Sequence, residues 1–222
     1  MKKKGINLLD PEYSAWIQNN LLPPIDPRHE ELERYSLQLN LPIIDRFGGF
    51  YLKNLIKTIK PKNILELGTG PGYSTYFMVD KTLPSYKITT IERRKENINT
   101  AKSYLDLCKD TNCTIDFIED DIMSYLNQNI DSIKNFDFAF IDCDKVLYLE
   151  IFGFLYDKSP KIPMVFDNVF WRGRLMDPDP NAKSDMLLIQ FWDTIKNLGL
   201  EYEIFPCEDG MLYLPPIFCL EN

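Results

Sequence analysis

The chain of 222 residues predicts an α/β fold, a mostly parallel, twisted sheet covered on both faces by helices. Three observations carry that expectation. From about residue 60 onward, short apolar runs alternate with longer amphipathic stretches. The run Ile64–Leu67 leads into glycines at alternate positions, Gly68, Gly70 and Gly72, and a helical pattern starts at once after them. Several of the apolar runs end in a carboxylate, as strands do where a sheet presents a site beyond their carboxyl ends.

The elements follow in order. Residues 1 to about 40 lack strand character, and Asp10-Pro11 and Leu22-Pro23-Pro24 punctuate two helix-like pieces. His29 to Leu39 is amphipathic and stops before Pro42, and Ile44 to Ile59 reads as a further helix ended by Pro61. Strands are expected at Asn63–Leu67, Lys87–Ile91, Thr114–Ile118, Phe136–Ile141, Ile162–Phe166 and Glu201–Phe205, with a last one at Met211–Leu214 or Ile217–Leu220. Helices are expected at Tyr73–Lys81, Arg93–Cys108, Ile122–Asn129, Lys145–Tyr156 and Ser184–Leu198. The stretch Trp171–Lys183, with Asp177-Pro178-Asp179-Pro180, reads as a loop beside the site. This divides the chain into a helical extension, 1–42, and a main domain, 43–222.

Bulk properties narrow the function classes. A net charge of -8 argues against a large nucleic-acid footprint. Lys2-Lys3-Lys4 reads as a solvated tail, and no apolar stretch follows it as a secretory signal requires. No run is long enough to span a membrane. The five cysteines, at 108, 113, 143, 207 and 219, form no C-x-x-C, and there is one histidine. That pattern argues against zinc or a disulfide framework and predicts reduced thiols in a cytoplasm.

The glycine loop is not a dinucleotide fingerprint, whose third glycine would stand at Tyr73. With Glu66 on the strand before it, the loop suits a ligand with a cationic amino-acid end and no pyrophosphate, as S-adenosylmethionine has. Glu92, at the tip of the second strand, is placed to accept both ribose hydroxyls; the alternative is a helix-start charge. Asp121, after the third strand, is placed to accept from an adenine amino group; the alternative is a solvated acidic turn.

The fourth and fifth strands run into Asp142 and into Asp167-Asn168. If these strands are neighbours, the three side chains offer hard oxygen ligands to one divalent cation such as Mg²⁺. The competing reading is helix capping. Lys145, three residues after Asp142, can turn toward the same place, where a partly desolvated amine serves as a base; otherwise it is a surface lysine.

Three segments, Ile64–Ser74, Phe138–Lys145 with Tyr148, and Phe166–Gly173, together with the late Glu208-Asp-Gly-Met211, resemble the cation-dependent O-methyltransferases, the catechol and caffeoyl-CoA O-methyltransferase family and its small bacterial members. The likeness runs from about Pro42 onward. It implies a Rossmann-like, seven-stranded sheet of the class I methyltransferase type with an antiparallel last strand. It implies S-adenosylmethionine near Glu66, Gly68, Ser74, Glu92, Asp121 and Asp142, a divalent cation on Asp142, Asp167 and Asn168, Lys145 as general base, and a homodimer. Three departures stand out: Cys143 where the family commonly has alanine, Ser159–Pro163 in place of a glycine-rich turn, and prolines in Leu214–Ile217.

The expected reaction is methyl transfer from S-adenosylmethionine to a hydroxyl of a catechol-like small molecule, with Trp171 as an aromatic wall or a buried loop anchor. The alternative acceptor is a tRNA wobble 5-hydroxyuridine, for which Arg172 and Arg174 could meet phosphate.

Overall fold

The computed structural model describes residues 10–106, 111–206 and 208–217. Cys108, Cys207, Cys219, the lysine tail and most of the second choice for the last strand lie outside them. The helices are α1 (Pro11–Asn20), α2 (Pro27–Gln38), α3 (Arg46–Ile59), α4 (Tyr73–Met78), α5 (Lys95–Leu105), α6 (Ile122–Gln128), α7 (Ile130–Ile133), α8 (Tyr148–Lys158) and α9 (Lys183–Asn197). The strands are β1 (Asn63–Leu67), β2 (Tyr86–Glu92), β3 (Cys113–Glu119), β4 (Phe138–Ile141), β5 (Met164–Phe166), β6 (Glu203–Phe205) and β7 (Met211–Leu214). They form one seven-stranded sheet in the order β3-β2-β1-β4-β5-β7-β6. β7 runs antiparallel to both of its neighbours, and the other pairs are parallel.

The period of two along each strand sorts the core. Leu65, Leu67, Ala139, Ile141, Met164 and Phe166 pack toward α8 and α9 with Tyr148, Phe152 and Phe191. Ile64, Phe138, Phe140 and Val165 pack toward α3 and α4 with Leu52, Ile56 and Phe77. Among the described residues no helix is long and apolar enough to cross a membrane.

Where boundaries differ from expectation, a long-range bond is the cause. α4 stops at Met78 because the Tyr86 hydroxyl accepts from Asp80 N at 2.7 Å and donates to Met78 O at 3.0 Å, replacing the next helical turn. β4 starts after Asp137, whose carboxylate instead accepts from Lys62 N and Asn63 N at 2.9 and 2.8 Å. β5 starts after Pro163, which has no N–H to give a ladder.

Helix α2, ahead of β1, is tied to α3 and α4 through side chains. Glu33 of α2 takes both ends of the Arg46 fork at 2.9 and 2.6 Å. It also accepts from the Tyr73 hydroxyl at 2.8 Å. His29, 2% exposed, stacks on Tyr76 at 4.2 Å and donates from Nε2 to Tyr73 O at 3.1 Å.

Candidate active site

The carboxyl ends of β1, β2, β3, β4 and β5 open into one cavity of about 750 Å³. Order reverses between β1 and β4, the switch point at which such sheets bind ligands. Gly68, at φ +105°, crosses it so closely that a Cβ there would meet Asp142 O at 1.9 Å. Gly70 N donates to Glu92 Oε2 at 3.1 Å, and Arg94 N donates to Oε1 at 2.8 Å, so Glu92 holds the rim of the loop.

Gly68, Ser74, Glu92, Asp121, Asp142, Lys145 and Asn168 all line this cavity. Glu66 and Asp167 do not. Period two puts Glu66 on the α4 side of β1, where Ser74 Oγ and Thr75 Oγ1 donate to its two oxygens at 2.7 and 2.6 Å. Burial pushes its carboxyl up to about 7 against those hydrogen bonds. Glu66 therefore stands one layer behind the wall, as the anchor of Ser74. Asp121 Oδ1 accepts from Ser124 N at 3.0 Å and caps α6, so its capping role is real while it still edges the cavity.

β4 pairs with β5, and Asp142 and Asp167 directly follow them. Among the described residues no three His, Cys, Asp or Glu side chains gather as a metal cluster, so any such site rests on these two acids and Asn168. Asp167 is 4% exposed, and among the described residues its Oδ2 has no hydrogen-bond partner. Burial raises the carboxyls of both Asp142 and Asp167, and Asp142 raises Asp167 further. Asn168, in the left-handed region at φ 52°, follows at the cavity face. The buried Asp167 carboxylate with its idle oxygen, the half-buried Asp142 carboxylate and the Asn168 amide are hard oxygen donors of the kind that fits a divalent cation.

Lys145 opens a 3₁₀ turn, Lys145–Leu147, ahead of α8 and is 5% exposed. Its Nζ donates to Tyr148 Oη at 2.6 Å, Asp167 O at 3.2 Å and Cys143 O at 3.3 Å, and stands 3.7 Å from Asp142 Oδ1. The surface-lysine reading is thus corrected: the turn folds the side chain inward. Tyr148 Oη in turn donates to Asp167 O at 2.6 Å. Cys143 also borders the cavity, its thiol pushed up by burial.

The far wall brings in residues the sequence reading did not single out. Leu41 to Ile44, between α2 and α3, line the same cavity as Trp171 and Arg172. Pro42 was the available signal. Asp45 caps α3 by accepting from Gly48 N at 2.6 Å, and burial followed by the nearby Glu208 raises it to about 6. Arg174, expected with Arg172 beside the site, turns to Asp185 at 3.2 Å, while Arg172 borders the cavity.

The sequence profile of the O-methyltransferase family matches residues 27–215. The chain belongs to this family. Its similarity to individual members is distant but extended. The tapetum-specific methyltransferase 1 of Arabidopsis thaliana is 29% identical over 168 residues, 72% of this chain and 68% of that protein. A caffeoyl-CoA O-methyltransferase of Medicago sativa is 28% identical over 209 residues, 91% of this chain and 84% of that protein. Among solved structures, the O-methyltransferase from Bacillus cereus in complex with SAH matches at a TM-score of 0.72 and 22% identity, over 90% of this chain and 94% of that one. The O-methyltransferase TomG from Streptomyces achromogenes, in complex with SAM, matches at 0.74 and 20% identity, over 93% and 96%. The fold is therefore that of the O-methyltransferases, including the antiparallel β7.

Proposed function

We propose that this O-methyltransferase transfers the methyl group of S-adenosylmethionine to a hydroxyl of a catechol-like small molecule, with Mg²⁺ or another divalent cation on Asp142, Asp167 and Asn168. The observation that carries the reading is the buried, unpartnered Asp167 Oδ2 beside Asp142 and the inward Lys145, at the end of the glycine loop. A cation bound there supplies Lewis acidity that makes a neighbouring hydroxyl easier to ionise.

The chain's own groups do the rest. The glycine loop and Ser74, braced by Glu66, seat the amino-acid end of the donor. Glu92 offers its remaining lone pairs to ribose hydroxyls, and Asp121 faces the adenine end. Lys145 Nζ receives the acceptor's proton, and Tyr148 Oη with the carbonyls of Asp167 and Cys143 holds the resulting ammonium through all three N–H bonds. Leu41–Ile44 and Trp171 wall off water, which favours a step in which an oxyanion and a sulfonium lose their charges together. The helical extension therefore belongs to the acceptor side, and a cytoplasmic homodimer is part of the same reading. The tRNA alternative keeps only one of its two arginines, since Arg174 is held by Asp185.

The test is mass spectrometry of products after incubation with methyl-labelled donor and catechol, with Mg²⁺ or with excess EDTA, and with cell extract as a second acceptor source. Label on a catechol oxygen, lost with EDTA, is expected. Undiminished transfer in EDTA removes the metal from the reading, and transfer to no hydroxyl in either source removes the reading itself.

A further inference from the structure

We infer that Asp185 is a positioning residue of the acceptor site, fixing the Trp171 indole as a flat wall beside Lys145. This rests on the function proposed above. Asp185 lies in the first turn of α9, away from the cavity lining, and its residue surface is 1% exposed. A carboxylate taken so far out of water needs donors. It has three, with an ion pair beside them. Trp171 Nε1 and Ser184 Oγ donate to Oδ1, each at 3.0 Å, Asp179 N donates to Oδ2 at 3.1 Å, and the Arg174 guanidinium stands 3.2 Å from Oδ2. All four residues lie within 171–184, the segment that leaves the cavity after β5 and returns as α9.

That segment has little regular structure of its own beyond the 3₁₀ turn Trp171–Gly173. Trp171 and Arg172 both sit in the left-handed region, at φ 49° and 54°, where bulky side chains are rarely found. Such a backbone persists only when its surroundings over-determine it. Asp185 holds the indole from one side, and Asp209 accepts from Arg172 N on the other. The held ring borders the cavity with its centroid 6.0 Å from Lys145 Nζ. Asp185 reaches the acceptor only through this ring. A fixed indole favours planar acceptors and aligns their oxygen with Lys145, because orientation dominates an in-line displacement.

The experiment compares the parent, Asp185→Asn, Trp171→Phe and the double variant. Asp185→Asn keeps the side-chain shape while taking away the anion that receives three donors and pairs with Arg174. The first readout is the Trp171 indole N–H resonance in a ¹H–¹⁵N spectrum, assigned by its loss in Trp171→Phe. In the parent it is expected to exchange with solvent far more slowly than that of Trp16, which is 55% exposed. An exchange rate matching Trp16 in the parent overturns the inference, so an Asp185→Asn variant that does not fold leaves it decidable. The second readout is steady-state kinetics with catechol. In Asp185→Asn the catechol KM is expected to rise about tenfold, the order of one charge-assisted hydrogen bond, with donor affinity within about twofold of the parent. The double variant is expected to be no worse than the more affected single one, since both act through one ring. An unchanged KM, independent addition of the two effects, or equal loss of donor and acceptor binding overturns the inference. If the parent methylates no hydroxylated compound, the proposed function fails, and the exchange measurement still decides whether Asp185 clamps the indole.

Discussion

The Tyr73 hydroxyl donates to Glu33 Oε1 across 2.8 Å, so the residue standing where a dinucleotide loop would need glycine is held by the N-terminal helix α2. Its carbonyl accepts from His29 of the same helix. Both ends of Tyr73 are therefore held at the first residue of α4, next to Ser74 at the cavity. Tyr73→Phe removes one donor to a charged acceptor and is expected to lower stability by about 1.5–3 kcal/mol. Donor affinity should fall several-fold as the start of α4 loosens. Urea titration and donor calorimetry read both. Tyr73→Phe and Glu33→Gln should combine less than additively; full additivity would break the proposed link between α2 and the loop.

His29 gives that link a pH dependence. Burial lowers its pKa from 6.5 to about 4, outweighing the Tyr73 carbonyl and Glu33, with Lys53 and Arg46 lowering it further. Between those two values the unfolded chain holds a proton that the native chain refuses. Stability therefore rises with pH across this window and is lost as pH falls from 6.5 toward 4, by about 3 kcal/mol in all. His29→Gln keeps an N–H for Tyr73 O and lacks the titration. Denaturation midpoints measured across the window should converge for variant and parent at the acid end; parallel curves would remove His29 as the cause.

The order of the elements and the position of the cavity were legible because both depend on local pattern: period two in β1 to β5, glycine at 68, acids at strand ends. The places of Asp142, Asp167, Asn168 and Lys145 at the ends of β4 and β5 were legible for the same reason, since each stands at a fixed short offset from a strand end. What local pattern does not carry is a partner far away along the chain. Glu33 with Tyr73 and Asp185 with Trp171 are such pairs, and neither spacing nor composition marks them. Glu66 shows the limit within one element. Its type and place suggested ligand contact, yet strand alternation aims it at Ser74 and Thr75, behind the cavity wall.

Glu66 titrates in the opposite sense to His29. Desolvation raises its carboxyl from 4.5 to about 7. Here the native chain keeps the proton that the unfolded chain releases, so stability is greatest below 4.5 and declines as pH rises through 7, by about 3 kcal/mol. Glu66→Gln has no charge to desolvate and can still bond both hydroxyls. It is expected to match the parent near pH 4 and exceed it at pH 8. A parent as stable as the variant at pH 8 would mean that Glu66 ionises there without penalty.

Asp167→Asn separates metal binding from catalysis. With no cation present, the Asp167 carboxyl is buried and the nearby Asp142 charge opposes its ionisation. Removing it is expected to raise metal-free stability by about 1 kcal/mol or more. Excess Mg²⁺ should then stabilise the parent, by about 2.7 kcal/mol at a hundredfold excess over its dissociation constant, and leave the variant unmoved. Thermal unfolding with and without Mg²⁺ reads both effects. A variant whose melting point still climbs with Mg²⁺ places the cation elsewhere.

Lys145 can be tested by asking which property of an amine the site uses. As an ammonium it fills three acceptors, Tyr148 Oη and the carbonyls of Asp167 and Cys143, which a guanidinium could also reach with its donors. A general base must instead accept a proton, and arginine does not give one up in proteins. Lys145→Arg retains charge and donors but not basicity, and Lys145→Met retains length alone. Both are expected to lose turnover by about 10²–10⁴-fold, with donor affinity little changed. A loss made only in the transition state lowers kcat and kcat/KM by the same factor. Lys145→Arg near full turnover would show that the ammonium holds the site together and that the proton leaves by another route.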